Sequence, residues 1–448
     1  MFPDLSSKSA KLFDRAKQSM PGGTTRHPVM IQPYLVYAAD AQGCRVLDID
    51  GVQRIDFINN FSSQIHGHAH PKIVQAIVEQ ARHITSAILP TEHEIKLAEL
   101  LCARVPAIQK VRFCNSGTEA AMLAVKVARA KTRRRRIMKM EGGYHGQYPE
   151  LETSWVATAD NWGPLTEPNR VAFGEGTPRE LTENIVIAPI NRTEIAQALI
   201  RKYADELAAV IIDPFPAHMR FLRANTEFLT MLREETTRLG IVLIFDEVFS
   251  FRLGYHGAHG HFGVTPDAVV LGKIIGGGLP VGAVGGSDDV MSVFTTPTSN
   301  GLPKVFHGGT FTANPMSMAA GLASMELMTR DAYADLSAKG DRLRAGLRAA
   351  ASRVGLPLVV HGGGSLTGIA LAEREFDSYR DMITSIGPKH REKMLSFHRA
   401  MLNEGVLVSP QGLLVGSTPM SNEDIDAAVE AAGKAFQALA REGAEALA

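Results

Sequence analysis

The sequence predicts an α/β protein: a mostly parallel central sheet flanked by helices, with a smaller α+β region formed by the C-terminal part and the N-terminal segment. Three observations predict it. Four short runs, at residues 185–188, 208–212, 241–245 and 268–271, are apolar throughout. Strands covered on both faces look like this, whereas half-exposed strands alternate. Stretches of helical length, 194–203 and 226–238, lie between runs, as parallel strands require. Beyond about residue 320 the pattern loosens into helices mixed with short strands.

A chain of 448 residues corresponds to roughly two to three domains. The divisions read from the sequence are an N-terminal helix and small β-meander (1–65), a large α/β domain (66–320) and a C-terminal α+β domain (321–448). With 45% hydrophobic and 21% charged residues, the chain can bury a large core without metal or disulfide staples. Its 47 basic residues balance 47 acidic ones, which argues against a dedicated nucleic-acid or membrane-surface binder. Cys44, Cys102 and Cys114 form no CxxC pair, so neither a disulfide framework nor structural zinc is expected. With no leader-like h-region and no apolar run of membrane length, a cytoplasmic location is expected.

In chain order, residues 8–19 read as an amphipathic helix stopped by Pro21-Gly22-Gly23. Short β-prone pieces between Tyr34 and Phe57, broken at Ala41-Gln42-Gly43 and Asp50-Gly51, read as an antiparallel meander. Pro71 opens a helix carrying Ile73, Ile77, Val78 and Ala81 at helical spacing. The basic run from Lys131 to Arg136 follows a helix's last turn, where cations offset the dipole, and reads as a solvated connection. His66, His68 and His70 alternate, but no carboxylate or cysteine is expected to complete a metal site. In the last third, helices fit 316–328, 332–353, 392–403 and 422–439, and strands fit 358–360, 368–371 and 413–416.

Open α/β sheets bind ligands beyond the C-terminal ends of their strands, so the residues that follow each apolar run matter most. Val111-Arg112-Phe113-Cys114 leads into Asn115-Ser116-Gly117-Thr118-Glu119 at a helix start. There, free N–H groups and the positive dipole end make an anion site. Asp246 follows one apolar run, and Lys273 follows the next behind Gly272. A phosphate cradle, a carboxylate and a lysine at one rim suit pyridoxal phosphate. The lysine forms the Schiff base, the carboxylate keeps the pyridine nitrogen protonated, and the helix start holds the phosphate.

These residues stand in a wider pattern. Pro21-Gly22-Gly23, Gly67-His68-Ala69-His70-Pro71, Asn115-Ser116-Gly117-Thr118-Glu119-Ala120, Gly143-Tyr144-His145-Gly146, Phe245-Asp246-Glu247-Val248, Gly272-Lys273, Gly276-Gly277-Gly278 and Gly309-Thr310-Phe311 follow in the order and spacing of class-III aminotransferases. More narrowly, the chain resembles the glutamate-1-semialdehyde aminomutase-like branch. The resemblance implies the fold-type-I architecture of pyridoxal-phosphate enzymes and an obligate homodimer with shared active sites. It makes Lys273 the Schiff-base lysine and proton shuttle, Asp246 the partner of the pyridine nitrogen, and Val248 the residue packed under the ring. Ser116, Gly117 and Thr118 match the phosphate loop. Tyr144 matches the aromatic stacked on the ring, with His145 beside it, and Thr310 matches a threonine reaching the neighbouring subunit's phosphate.

Three departures bear on substrate. Where the family usually has Glu-Pro and then Asn or Gln near the cofactor's 3-hydroxyl, this chain has Asp213-Pro214-Phe215-Pro216-Ala217-His218. His218 at that place resembles the D-phenylglycine aminotransferases and is expected to touch the cofactor. Arg26 lies where β-phenylalanine-type aminotransferases bind the substrate carboxylate, for which a guanidinium is suited. Their second arginine is replaced by Gln411 in Ser409-Pro410-Gln411-Gly412. The expected activity is amino transfer between an amino acid (β- and D-amino acids included) or an amine and a 2-oxo acid, by a ping-pong mechanism. The alternative is an aminomutase or epimerase of the same branch, which shares every cofactor residue. A nucleotide-binding oxidoreductase, suggested by the glycines at 276–286, fails because a dinucleotide fingerprint opens a helix directly after a strand early in a βαβ unit.

Overall fold

The computed structural model of the chain describes residues 2–387 and 389–445. Three sheets organise it. The large one holds seven strands in the order β4-β10-β9-β8-β7-β5-β6. They are β4 (Lys110–Cys114), β5 (Arg136–Met140), β6 (Ile185–Ala188), β7 (Leu207–Ile212), β8 (Val242–Asp246), β9 (Ala268–Gly272) and β10 (Gly282–Gly286). β5 to β9 run parallel, and β10 runs antiparallel to both of its neighbours. All residues of β6, β7, β8 and β9 are buried, which is why these strands read as unbroken apolar runs. Helices cover both faces, with Gly117–Thr132 against β7, β9 and β10 and Thr226–Leu239 against β7 and β8.

The N-terminal meander pairs β1 (Ala38–Gln42), β2 (Arg45–Asp48) and β3 (Gln53–Asp56) antiparallel, as expected. A fourth strand, β13 (Val406–Leu407), joins it in parallel, with Val406 opposite Ile55. The third sheet, β11 (Val359–Gly363), β12 (Leu366–Ala370) and β14 (Leu413–Val415), is antiparallel. It packs under the long helices Arg330–Arg353 and Asn422–Glu445. Buried Arg252 ties these regions together: its guanidinium donates to Ser62 O (2.9 Å), Gly416 O (2.5 Å) and Ser365 Oγ (3.0 Å).

The basic run is more structured than a solvated connection. Arg134 Nη1 donates to the carbonyls of Leu239 (2.9 Å) and Gly240 (3.2 Å), closing the end of a helix. Arg136 opens β5 and pairs with Glu206 at 2.9 Å. In the histidine trio, a distant carboxylate does arrive: His68 Nε2 lies 2.8 Å from Asp56 Oδ2. His66 is held by Thr418 and the Ser324 carbonyl.

Candidate active site

Strand register sets the site. Ile212 of β7 lies opposite Phe245 of β8, so Asp213 and Asp246 stand side by side at two adjacent strand ends. Asp246 in turn lies opposite Val270 of β9, whose last residue is Gly272, with Lys273 next. Two carboxyl groups and a lysine thus meet at the C-terminal rim of three neighbouring parallel strands, where open α/β sheets place their ligands. Lys273 adopts φ +51°, a left-handed conformation that costs a non-glycine residue energy and persists where the surroundings hold it.

Asp246 is buried and fixed on both oxygens. Oδ1 accepts from Val248 N (3.0 Å), and Oδ2 accepts from His145 Nδ1 (2.8 Å). Burial pushes the His145 pKa down, against the pull of the Asp246 hydrogen bond and charge. The ring is therefore neutral, with its proton on Nδ1 by hydrogen-bond geometry, while Nε2 is buried without a partner. The loop carrying Tyr144 and His145 is itself anchored by Lys139, wholly buried on β5, whose ammonium group donates to Gly143 O (2.8 Å) and Thr153 O (2.7 Å). Burial lowers the Lys139 pKa to about 7.

Lys273 is half-buried, and the desolvation there brings its pKa down to about 8. Asp246 and Asp213 oppose the shift, and Arg26 adds to it. Its Nζ sits 3.5 Å from the centroid of the Phe249 ring, a cation–π distance.

At the end of β4, Ser116 caps the helix Gly117–Thr132, its Oγ accepting from Glu119 N at 3.2 Å. The Glu119 carboxylate reaches back to Asn115 N at 2.8 Å, a variant of the capping box. This leaves the Gly117 and Thr118 amides in a first turn that has no intrahelical acceptors, the arrangement that binds phosphate. A Cβ on Gly117 would lie 3.1 Å from Val248 Cγ2, so the loop closes directly over Val248.

Together these groups line a cavity of about 640 Å³. Of the residues expected from sequence, Arg26, Ser116, Gly117, Thr118, Tyr144, His145, Asp246, Val248 and Lys273 all face it. The donor set fits pyridoxal phosphate: free amides for an anion, a carboxylate for a ring nitrogen, an amine for an aldehyde. His218 does not line the cavity; it packs against Tyr144 (5.0 Å between ring centroids) and Trp155 (4.8 Å), and burial takes its pKa down to about 3. Thr310 is exposed and also lies outside this cavity, next to Phe311, which is 60% exposed. Gln411 is exposed as well, its side-chain oxygen accepting from the Ser409 hydroxyl.

Arg26 stands at the cavity's open side, its Nη1 donating to Asn60 Oδ1 at 2.9 Å and its guanidinium 5.4 Å from the Phe61 ring. Asn60 and Phe61 belong to a turn in which Asn59, Asn60, Phe61 and Ser62 all have positive φ (+48° to +74°). Four such residues in succession are strained. Asp56, which accepts from Ile58 N and Asn59 N, and Arg252, which binds Ser62 O, over-determine the turn. Sequence reasoning missed this wall, and it missed Lys139 and Phe249. An isolated lysine within the apolar stretch Ile137–Met140 was the one available signal.

The family model for "Aminotransferase class-III" matches residues 28–436, and the chain belongs to that family, whose members depend on pyridoxal phosphate. An ω-transaminase from Sphaerobacter thermophilus superposes with a TM-score of 0.94 at 43% identity, over 98% of this chain and 99% of that one. A β-phenylalanine aminotransferase from Variovorax paradoxus gives a TM-score of 0.85 at 32% identity, over 96% and 94%. The glutamate-1-semialdehyde 2,1-aminomutase 2 of Shouchella clausii is 36% identical over 97% of this chain and 99% of that protein. Among the described residues, no helix is long and apolar enough to cross a membrane.

Proposed function

We propose that this class-III aminotransferase passes an amino group between a carboxylate-bearing amino acid and a 2-oxo acid by a ping-pong mechanism. β- and D-amino acids are among the candidate donors. The observation that carries the reading is Arg26, a guanidinium at the cavity with no ion-pair partner among the described residues, facing a chamber that Lys273 also lines. A planar cation of this kind suits a substrate carboxylate.

Pyridoxal phosphate, when bound, supplies an aldehyde carbon for an amine and a cationic ring that draws electrons from the substrate. This chain's residues do the rest. Ser116, Gly117 and Thr118 hold the phosphate at the helix start. Asp246, fixed by two N–H donors, would hold the proton of the ring nitrogen. Val248 and Tyr144, both lining the cavity, would pack against the two faces of the ring. His218, packed on Tyr144 and Trp155, fixes the tilt of the Tyr144 ring. With a pKa brought to about 8, Lys273 Nζ is partly free amine near neutrality and takes and returns the proton at the substrate carbon. One lysine and one cavity serve donor and acceptor in turn, which is the logic of ping-pong exchange.

The protein works as a homodimer in this reading. Thr310 sits exposed outside its own chain's cavity, among exposed apolar residues that include Phe306 and Phe311, as expected of a residue that completes the phosphate site of a second protomer. The alternative of a mutase, moving the amino group within one substrate, is supported by the similarity to the S. clausii aminomutase. A donor-only experiment separates the two. An aminotransferase releases one equivalent of oxo product per site and stops until 2-oxoglutarate or pyruvate is added. Continued turnover of a single substrate would instead establish the mutase.

A further inference from the structure

Asp213 belongs to the same rim as Asp246 and Lys273 but has no part in the chemistry above. It lines the cavity, is 8% exposed, and directly follows the strand next to that of Asp246, which is 5% exposed. Neighbouring strands lie roughly 4.8 Å apart, so two buried carboxyl groups share a space that offers one nearby lysine. Their supply of donors is unequal. Asp246 accepts from His145 Nδ1 and Val248 N, whereas Asp213 accepts from a single amide, Phe215 N at 2.9 Å. The Ser250 hydroxyl faces it from the segment after β8. Donors stabilise the charged form of a carboxyl, and a like charge disfavours it.

We infer that Asp213 works as the protonated, neutral member of this carboxyl pair, so that Asp246 carries the only negative charge at the rim. Asp213 is then a positioning residue: one of its carboxyl oxygens keeps the Phe215 amide, and its neutral form leaves the charge of Asp246 without a like charge beside it. Burial first, and Asp246 second, raise its pKa well above the usual carboxylate range, against weaker opposing pulls from Phe215, Ser250 and Lys273. Two carboxyl groups sharing one proton because both cannot ionise is a known physical arrangement. Here it matches one carboxylate to one cation, whether that cation is Lys273 or a protonated ring nitrogen. The inference rests on the site assignment proposed above.

The test compares Asp213→Asn with Asp213→Leu in the cofactor-loaded protein and in the apoprotein. Asparagine reproduces a neutral carboxyl's shape, one acceptor and one donor. Asp213→Asn is therefore expected to keep the half-reaction rate within about threefold, and the pH midpoint of the cofactor's absorbance within roughly 0.3 unit. Asp213→Leu, which lacks donor and acceptor, is expected to lose about tenfold or more in rate and to move that midpoint. In the apoprotein near pH 8, infrared difference spectra of wild type against Asp213→Asn are expected to show a protonated-carboxyl stretch in the wild type alone. A difference spectrum of carboxylate bands only overturns the inference. So does a fall of the midpoint by about a unit in Asp213→Asn, which is the sign for removing a negative charge beside a cation. A leucine variant indistinguishable from wild type overturns the positioning role. If Asp246→Asn were also silent, the site assignment itself would have failed, and not the protonation of Asp213.

Discussion

Replacing Asp246 by Asn changes one oxygen into an amide and removes a charge at the position best defined by the structure. Asn Oδ1 can still accept from Val248 N, now 3.0 Å from Asp246 Oδ1. The other half of the amide meets the Nδ1–H of His145, 2.8 Å away. Two donors then face each other, so His145 must move its proton to Nε2, an atom buried without a partner. An unmet buried donor costs about 1–3 kcal/mol, and the apo variant is expected to unfold at a lower temperature accordingly. The catalytic loss is larger. A neutral amide cannot hold a proton on the cofactor's ring nitrogen, and removal of such an electrostatic partner costs roughly 3–5 kcal/mol, or about 10²–10⁴ in rate. Stopped-flow absorbance of the donor half-reaction reads this directly, and calorimetry of the apoprotein reads the stability term. A half-reaction within about threefold of wild type would remove Asp246 from the chemistry.

Arg26→Ala is expected to raise KM for carboxylate donors about tenfold, roughly 1.5 kcal/mol at a site open to water, while leaving simple arylalkyl amines unchanged. Arg26→Lys recovers part of the loss because an ammonium lacks the planar fork, and steady-state kinetics on matched acid and amine pairs decides it. Because burial holds Lys273 at about 8, cofactor capture by the apoenzyme is expected to rise with pH and level off above that value. At pH 7.5 about a quarter of the amine is free, against about 0.1% for an ordinary lysine near 10.4, and capture still climbing steeply past pH 9 would contradict the assignment. In Gly282→Ala, the added methyl would lie 2.0 Å from Ser116 O, so β10 or the phosphate loop must yield. Overpacking of this kind costs about 1–3 kcal/mol, and it is expected to appear as weaker cofactor binding in a fluorescence titration.

The parallel core was legible because burial on both faces writes itself into the sequence as unbroken apolar runs, and β6 to β9 lie within a residue or so of those runs. β10 was not legible. Its sequence, Gly-Ala-Val-Gly-Gly, lacks the side chains that mark strands, and its glycines answer a close approach that only the folded chain creates, such as that of Gly282 to Ser116. β5 was hidden by Arg136 and Lys139, charged residues whose partners, Glu206 and two loop carbonyls, lie far along the chain or in an irregular turn. The site divides the same way. Strand-end residues and the helix start are local features and could be read. The His145–Asp246 bond spans 101 positions, and the strained turn at Asn59–Ser62 depends on Arg252, so neither leaves a local trace.

Reductive trapping tests the central claim most directly. The cofactor-loaded protein is treated with borohydride, which fixes any covalent link between lysine and cofactor, and is then digested and mapped by mass spectrometry. The account predicts a single modified residue, Lys273, with Lys273→Ala retaining cofactor yet giving no labelled peptide. A label on another lysine, Lys139 included, or an unlabelled Lys273 in an active enzyme, would contradict it.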